Sequence, residues 1–192
     1  MTDPAQRLDL FENPNFDRGA SKLTELVWMM VQAWLFGSWL PGSGWRVKLL
    51  RAFGARIGRG VVIKPHVTVK FPWRLTLGDH VWIGERVWID NLAQVTLEDH
   101  ACLSQGAYLC TGSHDWTDPR FALITKPITV GQGAWVGAQA ILALGTVLEE
   151  GAVLAMGAAG SGRLAARTIH RADGTTAPRL KQDADATPKP GG

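Results

Sequence analysis

The chain has 192 residues, 46% of them apolar, which fits one domain able to bury a core. Twenty Lys and Arg against 17 Asp and Glu give a net charge of +3 with no dense basic block, and only 19% of residues are charged, so charge disfavours a nucleic-acid binder. Cys102 and Cys110 allow at most one disulfide and read better as free thiols in a reducing compartment; the opening MTDPAQRLDLFENPNFDRG is polar, unlike a secretory signal, and the expected location is the cytoplasm.

Residues 1–20 read as an extended polar arm and residues 21–55 as a helical segment. SKLTELVWMMVQAWLFGSWL (21–40) opens on Ser21 with Thr24 and Glu25 behind it, close to a capping box, and Pro41 and Gly42 end it. Its apolar stretch 26–40 is 15 residues long, short of the roughly 20 that cross a bilayer. Two readings stand for residues 23–40: a helix packed on the main body, or a peripheral contact with a membrane surface or a partner. WRVKLLRAF (45–53) suggests a second short helix.

From Arg56 the period changes. Ile57, Ile63, Val69; Leu77, Ile83, Ile89; and Leu97, Leu103, Leu109 step by six within each triplet and by eight between triplets. After an interruption Val130, Val136, Leu142, Leu148 and Leu154 are again six apart. Four positions after each start falls a second restricted residue, Val or Ala in most cases, with Trp73 the exception. Three positions after it Gly dominates (Gly60, Gly106, Gly112, Gly133, Gly145, Gly151, Gly157), and His66, His80 and His100 share the slot. That is the demand of a corner with positive φ. A unit of one buried aliphatic, one small buried residue and one corner is a short strand plus a turn. Three units close a triangular coil, and stacked coils make an all-β parallel β-helix of about five coils over residues 56–160. The 3.6-residue period of an amphipathic helix is absent here.

Residues 114–127 (HDWTDPRFALITKP) break the pattern and read as a loop ejected from the coil, whose His, Asp, Trp and Phe content argues for a function. Residues 161–192 read as a C-terminal extension whose last stretch, QDADATPKPGG, has a disordered composition. Trp82 and Trp135 fall in one outward column and Trp88 and Tyr108 in the next, which predicts a subunit interface or ligand contacts.

The repeats, the loop opening TGSHDWTDPRF and the run KPITVGQGAWVGAQAILALGTVLEEGAVLAMGA resemble the hexapeptide-repeat acyltransferases. FDRGASKLTELVW, LLRAFGARIGRGVVIKPHVTVKFPWRLTLGDHVWIGE and WIDNLAQVTLEDHACLSQGAYLCTGSHDW look like the branch of colanic-acid-biosynthesis O-acetyltransferases, relatives of nodulation, maltose and galactoside acetyltransferases. The resemblance covers roughly residues 8–160. It implies a left-handed coil, a homotrimer, and acetyl-CoA as co-substrate bound between neighbouring subunits.

His114 follows the inward Ser113 where the coil opens into the loop. Acetyl transfer to an alcohol needs a base working near neutral pH, which histidine supplies, and the resemblance assigns the general base to this TG–His context. Asp90 and Asn91 stand near the position that holds the acceptor in related sugar acetyltransferases, although polar residues on an outer face are ordinary. Asp115 and Trp116 are candidates for a sugar hydroxyl and a sugar ring, or for shaping the loop. Trp135 matches a tryptophan that lines the family's CoA groove, and Gly137 and Ala138 fall where backbone approaches the pantetheine arm.

The chain departs from the family after Gly157. The usual Thr and Lys of the last coil map onto Ser161 and Gly162, with Arg163 as a replacement charge. The later motif is reduced to ADGTTAPRLK, leaving Arg171, Arg179 and Lys181 as phosphate partners. Related zinc enzymes of this fold use three His ligands, two of them close in sequence; here the nearest His pairs within the repeats are 14 apart, so no metal site is expected. Cys102 and Cys110 lack a basic partner and read as structural.

The reading is a cytoplasmic homotrimer that O-acetylates a sugar hydroxyl of an exopolysaccharide or lipopolysaccharide precursor by direct transfer, with His114 as base. Two rivals stand beside it: an antibiotic O-acetyltransferase, and a non-catalytic β-helix scaffold with a degraded CoA site.

Overall fold

Each six-residue unit forms a two- or three-residue strand followed by a tight corner, and strands one coil apart pair in parallel. The computed structural model describes residues 7–13 and 16–180; Lys181 and the tail expected to be disordered lie outside them. The first face stacks Arg56–Ile57, Leu75–Leu77, Val95–Leu97, Ile128–Val130, Val147–Leu148 and Arg163–Leu164. The second stacks Val62–Ile63, Trp82–Ile83, Cys102–Leu103, Trp135–Val136, Val153–Leu154 and Thr168–His170, closed by the antiparallel strand Thr176–Pro178. The third stacks Thr68–Val69, Trp88–Asp90, Tyr108–Cys110, Ile141–Leu142 and Ala159–Gly160.

The register follows the aliphatic column: Ile57 pairs with Leu77, Leu77 with Leu97, Leu97 with Val130, and Val130 with Leu148. All of the predicted inward aliphatics are buried except Ile57, which is half-buried at the open end. His66, His80 and His100 take φ of 61°, 57° and 59°, the corner conformation expected of them. Gly112 does not; it lies in a hairpin strand, where a side chain would run into Leu92.

The coil continues beyond its expected end, into a sixth turn made by Arg163–Leu164 and Thr168–His170. The six-residue step fails there because Gly160 occupies an inward slot and the corner after it is short. The next inward residue, Leu164, comes only four positions later and pairs with Leu148. The segment after Leu109 is also more ordered than a loop. Gly112–His114 and Leu123–Thr125 form an antiparallel hairpin that projects from the corner between the third and first faces.

Two helices close the N-terminal end, α1 (Lys22–Val31), which runs into a π-helical turn (Gln32–Phe36), and α2 (Gly44–Ala52). Ser21 Oγ accepts the Thr24 N–H and starts α1, while Glu25 pairs with Arg18 instead of completing a capping box. Trp28 and Phe36 are buried against the first coil. An exposed sheet edge invites pairing with other chains, and here one side chain from the cap answers each of the three edges. Gln32 accepts from Val69 N–H (3.0 Å) and donates to Val67 O (3.1 Å) on the third face. Ser43 Oγ accepts from Ile63 N–H (3.0 Å) on the second, and Arg51 donates to Ile57 O (2.6 Å) and Gly58 O (2.9 Å) on the first.

Candidate active site

The acceptor-side candidates lie on segments that meet at one corner, where the third face turns into the first, and of them only His114 lines the cavity found there. Coil by coil this corner carries residues 70–74, 91–94 and the hairpin at 111–127. The N-terminal arm runs along it: Trp73 Nε1–H donates to Arg18 O (2.7 Å), Arg74 donates to Asp17 O, and Arg7 N–H donates to Pro119 O (2.9 Å).

His114 is half-buried in the first hairpin strand, opposite Leu123. Its Nδ1 lies 2.7 Å from Phe121 O. A carbonyl only accepts, so this contact fixes the proton on Nδ1 and leaves the lone pair on Nε2. Among the described residues Nε2 makes no hydrogen bond. The imidazole stacks on the Phe121 ring at 4.2 Å between centroids, and Phe11 of the arm meets it edge-on at 5.5 Å. Phe121 takes φ 52°, an uncommon conformation for an aromatic residue; the same residue thus supplies both the tautomer-setting carbonyl and the stacking ring.

His114 and Leu123 are among the residues that line a cavity of about 570 Å³. Phe11 and Phe16 of the arm line it, and so do Glu25, Trp28, Met29 and Gln32 of the cap. Val69 and Trp88 of the third face line it too, with Lys70 and Phe71 from the corner that follows. The space is mostly apolar, with a few polar groups at its sides, as ligand sites commonly are.

The other acceptor-side candidates divide. Asp90 is largely buried at the same corner; its Oδ1 has no hydrogen-bond partner among the described residues and lies 3.8 Å from Lys70 Nζ. Its Oδ2 accepts a long bond from the Tyr108 hydroxyl (3.4 Å). Burial first, then Cys110 and Asp90, raise the Tyr108 pKa, so the phenol stays a donor. Asn91 is fully buried and its amide is spent on backbone: Oδ1 accepts from Phe71 N–H (2.8 Å), and Nδ2 donates to Phe71 O (2.7 Å) and Arg74 O (3.0 Å). Asn91 therefore splices two coils and presents no free polar atom to a ligand. The Asp115 carboxylate accepts from the Thr117 hydroxyl and N–H, which lower its pKa and fix the loop turn. Trp116 is 75% exposed.

The cofactor-side candidates do not share one place within a protomer. Trp135 lies on the outside of the second face, where its Nε1–H donates to Ser104 Oγ (2.7 Å). It borders a pocket of about 700 Å³ with His100, Gln132, Glu150, Arg167 and Arg179. Gly137 and Ala138 sit at the following corner, where a Cβ on Gly137 would lie 2.6 Å from Met156 N of the next coil. Close stacking of coils thus already requires that glycine. Ser161 and Arg163 lie a face away, at the corner leading to the first face, and Arg163 is paired with Glu149, whose pKa it lowers. The cations that do join Trp135 are Arg167 and Arg179. Arg179 donates to Gly133 O and Gly151 O, both at 3.0 Å. Arg167 carried no motif; its only signal is its place in a corner slot, at φ 51°.

Cys102 and Cys110 are unbridged, and burial pushes the Cys102 thiol pKa up, which makes it a poor nucleophile. Among the described residues no group of three or more His, Cys, Asp or Glu is placed to hold a metal ion, and no helix is long and apolar enough to cross a membrane.

No family model matches the chain. A protein of Escherichia coli (strain K12) named as a colanic acid biosynthesis acetyltransferase, WcaF, is 40% identical over 151 residues, which cover 78% of this chain and 82% of that one. The chain belongs to the hexapeptide-repeat acetyltransferases of the colanic-acid type. Among solved structures, a hexapeptide-repeat acetyltransferase from Vibrio cholerae O1 biovar eltor, complexed with acetyl-CoA, has a TM-score of 0.74 at 20% identity, covering 91% of this chain and 97% of that one. A maltose O-acetyltransferase from Clostridium difficile 630 has the same TM-score of 0.74 at 14% identity, covering 84% and 90%. These two share the fold. The 40%-identical relative makes the protein an acetyltransferase.

Proposed function

We propose that the protein transfers the acetyl group of acetyl-CoA to a sugar hydroxyl of an exopolysaccharide or lipopolysaccharide precursor, with His114 as general base. The observation that carries this is the fixed tautomer of His114 in the lining of a ligand-sized cavity. In this mechanism the Nε2 lone pair takes the proton of the acceptor hydroxyl as its oxygen attacks the thioester carbonyl. The imidazolium, stabilised by its Nδ1–H bond to Phe121 O, then returns the proton to the departing thiolate. No enzyme-bound acyl group is needed.

The polysaccharide acceptor is supported by the name of the 40%-identical relative, and the donor by the acetyl-CoA held in the Vibrio structure. The second-face pocket is where we place that donor: it holds the Trp135 indole and the guanidinium groups of Arg179 and of Arg167, the latter paired with Glu150 (2.9 Å), which a phosphate would have to displace. Exposed Trp82, Trp88 and Trp135 on adjacent faces support a homotrimer in which neighbours complete both pockets. We place the reaction in the cytoplasm and residues 23–40 at a membrane surface, close to such a precursor.

Calorimetric titration with acetyl-CoA, run on the full chain and on His114→Ala, tests this reading. Both are expected to bind donor alike, while the variant loses about 10²–10⁴-fold in kcat on a glycan acceptor. Equal turnover would remove His114 as base. Absence of donor binding in both would favour the scaffold.

A further inference from the structure

We infer that the N-terminal cap is a docking surface selective for anionic lipid bilayers, with α1 lying in the plane of the interface. The inference rests on the membrane reading of residues 23–40 and adds to it the lipid chemistry and the second helix.

The first observation is an apolar face turned outward. Leu23, Leu26, Met30 and Trp34 are 70%, 55%, 55% and 78% exposed and follow one another at spacings of three and four, a single stripe along α1 and its π-helical turn. Trp39, 72% exposed, and Leu40 extend it beyond the turn. An apolar cleft of about 570 Å³ between that turn and α2, lined by Leu35, Leu40, Trp45, Lys48, Leu49 and Ala52, continues the same surface. A monomer rarely leaves so much contiguous apolar area to water.

The second observation is charge. In the cap, residues 21–55, Lys22, Arg46, Lys48 and Arg51 stand against a single acidic residue, and of the four only Arg46 is buried. The acidic one, Glu25, is already paired with Arg18. Lys22 and Lys48 are exposed on the cap itself, beside the apolar stripe. An apolar stripe with tryptophans and flanking cations is the pattern of a helix lying in the headgroup region of an anionic membrane.

The third observation is rigidity. Arg46 is fully buried and donates to the carbonyls of Phe36 (3.2 Å), Ser38 (2.7 Å) and Gly42 (2.8 Å). It thereby holds the turn that presents Trp39 and Leu40, so little ordering remains to be done on docking. Trp28 and Met29 of α1 and Gln32 of the turn after it line the cavity that His114 also lines. A membrane-borne acceptor would then meet the base across the width of one helix.

The test is co-sedimentation of the full chain with vesicles of phosphatidylcholine alone and of phosphatidylcholine mixed with phosphatidylglycerol. Binding to the mixed vesicles is expected to be about tenfold tighter or more, and to weaken with added salt. Leu26→Glu combined with Trp34→Glu should weaken binding to both by about a hundredfold. Lys22→Glu combined with Lys48→Glu should remove only the preference for the anionic vesicles. Equal binding to both vesicles would overturn the anionic selectivity while leaving a membrane contact. No binding to either would overturn the contact itself, with acetyl-CoA binding and turnover on a soluble acceptor unaffected. Dissociation of the oligomer by Leu26→Glu and Trp34→Glu, read by light scattering, would overturn the lipid reading and show that a second copy of the chain covers the stripe.

Discussion

In the β-helix body, large aliphatic side chains point inward and the outer positions are mixed. In the N-terminal cap, most large apolar side chains point outward, while Trp28, Phe36, Arg46 and Leu50 are buried. Leu97, Leu103 and Leu109 have no exposure, whereas Leu23 and Leu26 are more than half exposed. The same residue type therefore does two jobs. In the body, leucine contributes to stability through burial within the chain. On the outer side of α1, it contributes little to the fold and its apolar area is left for something outside the chain.

The largest effect that separates the two regions is a leucine truncation. Leu103→Ala removes a fully buried side chain from a column with neighbours above, below and across, and is expected to cost about 2–5 kcal/mol. Leu26→Ala changes the same number of atoms on an open surface, and its effect is expected to stay within about 0.5 kcal/mol. Urea unfolding of both variants measures the difference. A comparable loss in Leu26→Ala would mean that the stripe packs against a copy of the chain in solution.

The body is the readable half because a six-residue period fixes inside, outside and corner for each position at once. Ile83 and its ladder partner Leu103, and the corner residues His80 and His100, can be placed by counting. The departures have local causes. Leu164 escapes the count because a buried Gly160 and a shortened corner break the step. Asn91 is grouped with Asp90 in the sequence, which does not show that its amide reaches back to Phe71 and Arg74 of the preceding coil. At the site, the TG–His context points to His114, but the carbonyl that sets its tautomer comes from Phe121, across a hairpin that reads as an irregular loop. The cap is legible as helices and no further, because Gln32, Ser43 and Arg51 meet strand edges at separations that leave no periodic trace.

Those edge contacts join the two regions, and cutting one gives the next largest effect. Gln32→Ala leaves Val67 O and Val69 N–H of the third face without their side-chain partners. A loss of about 1–3 kcal/mol is expected. Hydrogen exchange should show faster exchange at Val69 while the amides around Leu103 stay protected until global unfolding. Uniform loss of protection would mean that cap and body unfold as one unit.

The smallest effect belongs to the corners of the body and depends on pH. Asp79 accepts the Arg59 backbone N–H (2.7 Å) and, through its other oxygen, the Arg59 guanidinium (2.9 Å), and these contacts lower its pKa. A carboxyl whose pKa is lower in the folded chain favours folding above the unfolded value, near ~3.9. That contribution disappears as pH falls through the lowered folded value. Asp79→Asn should therefore melt slightly below the parent protein at neutral pH, and the gap should close as the pH drops below about 4. Because the pair lies at the surface, added salt should also narrow the gap at neutral pH. A gap that persists unchanged in acid would assign the effect to the corner geometry and not to the charge. The cap stripe, made of apolar side chains, should show no matching pH dependence when Leu26→Ala is melted over the same range.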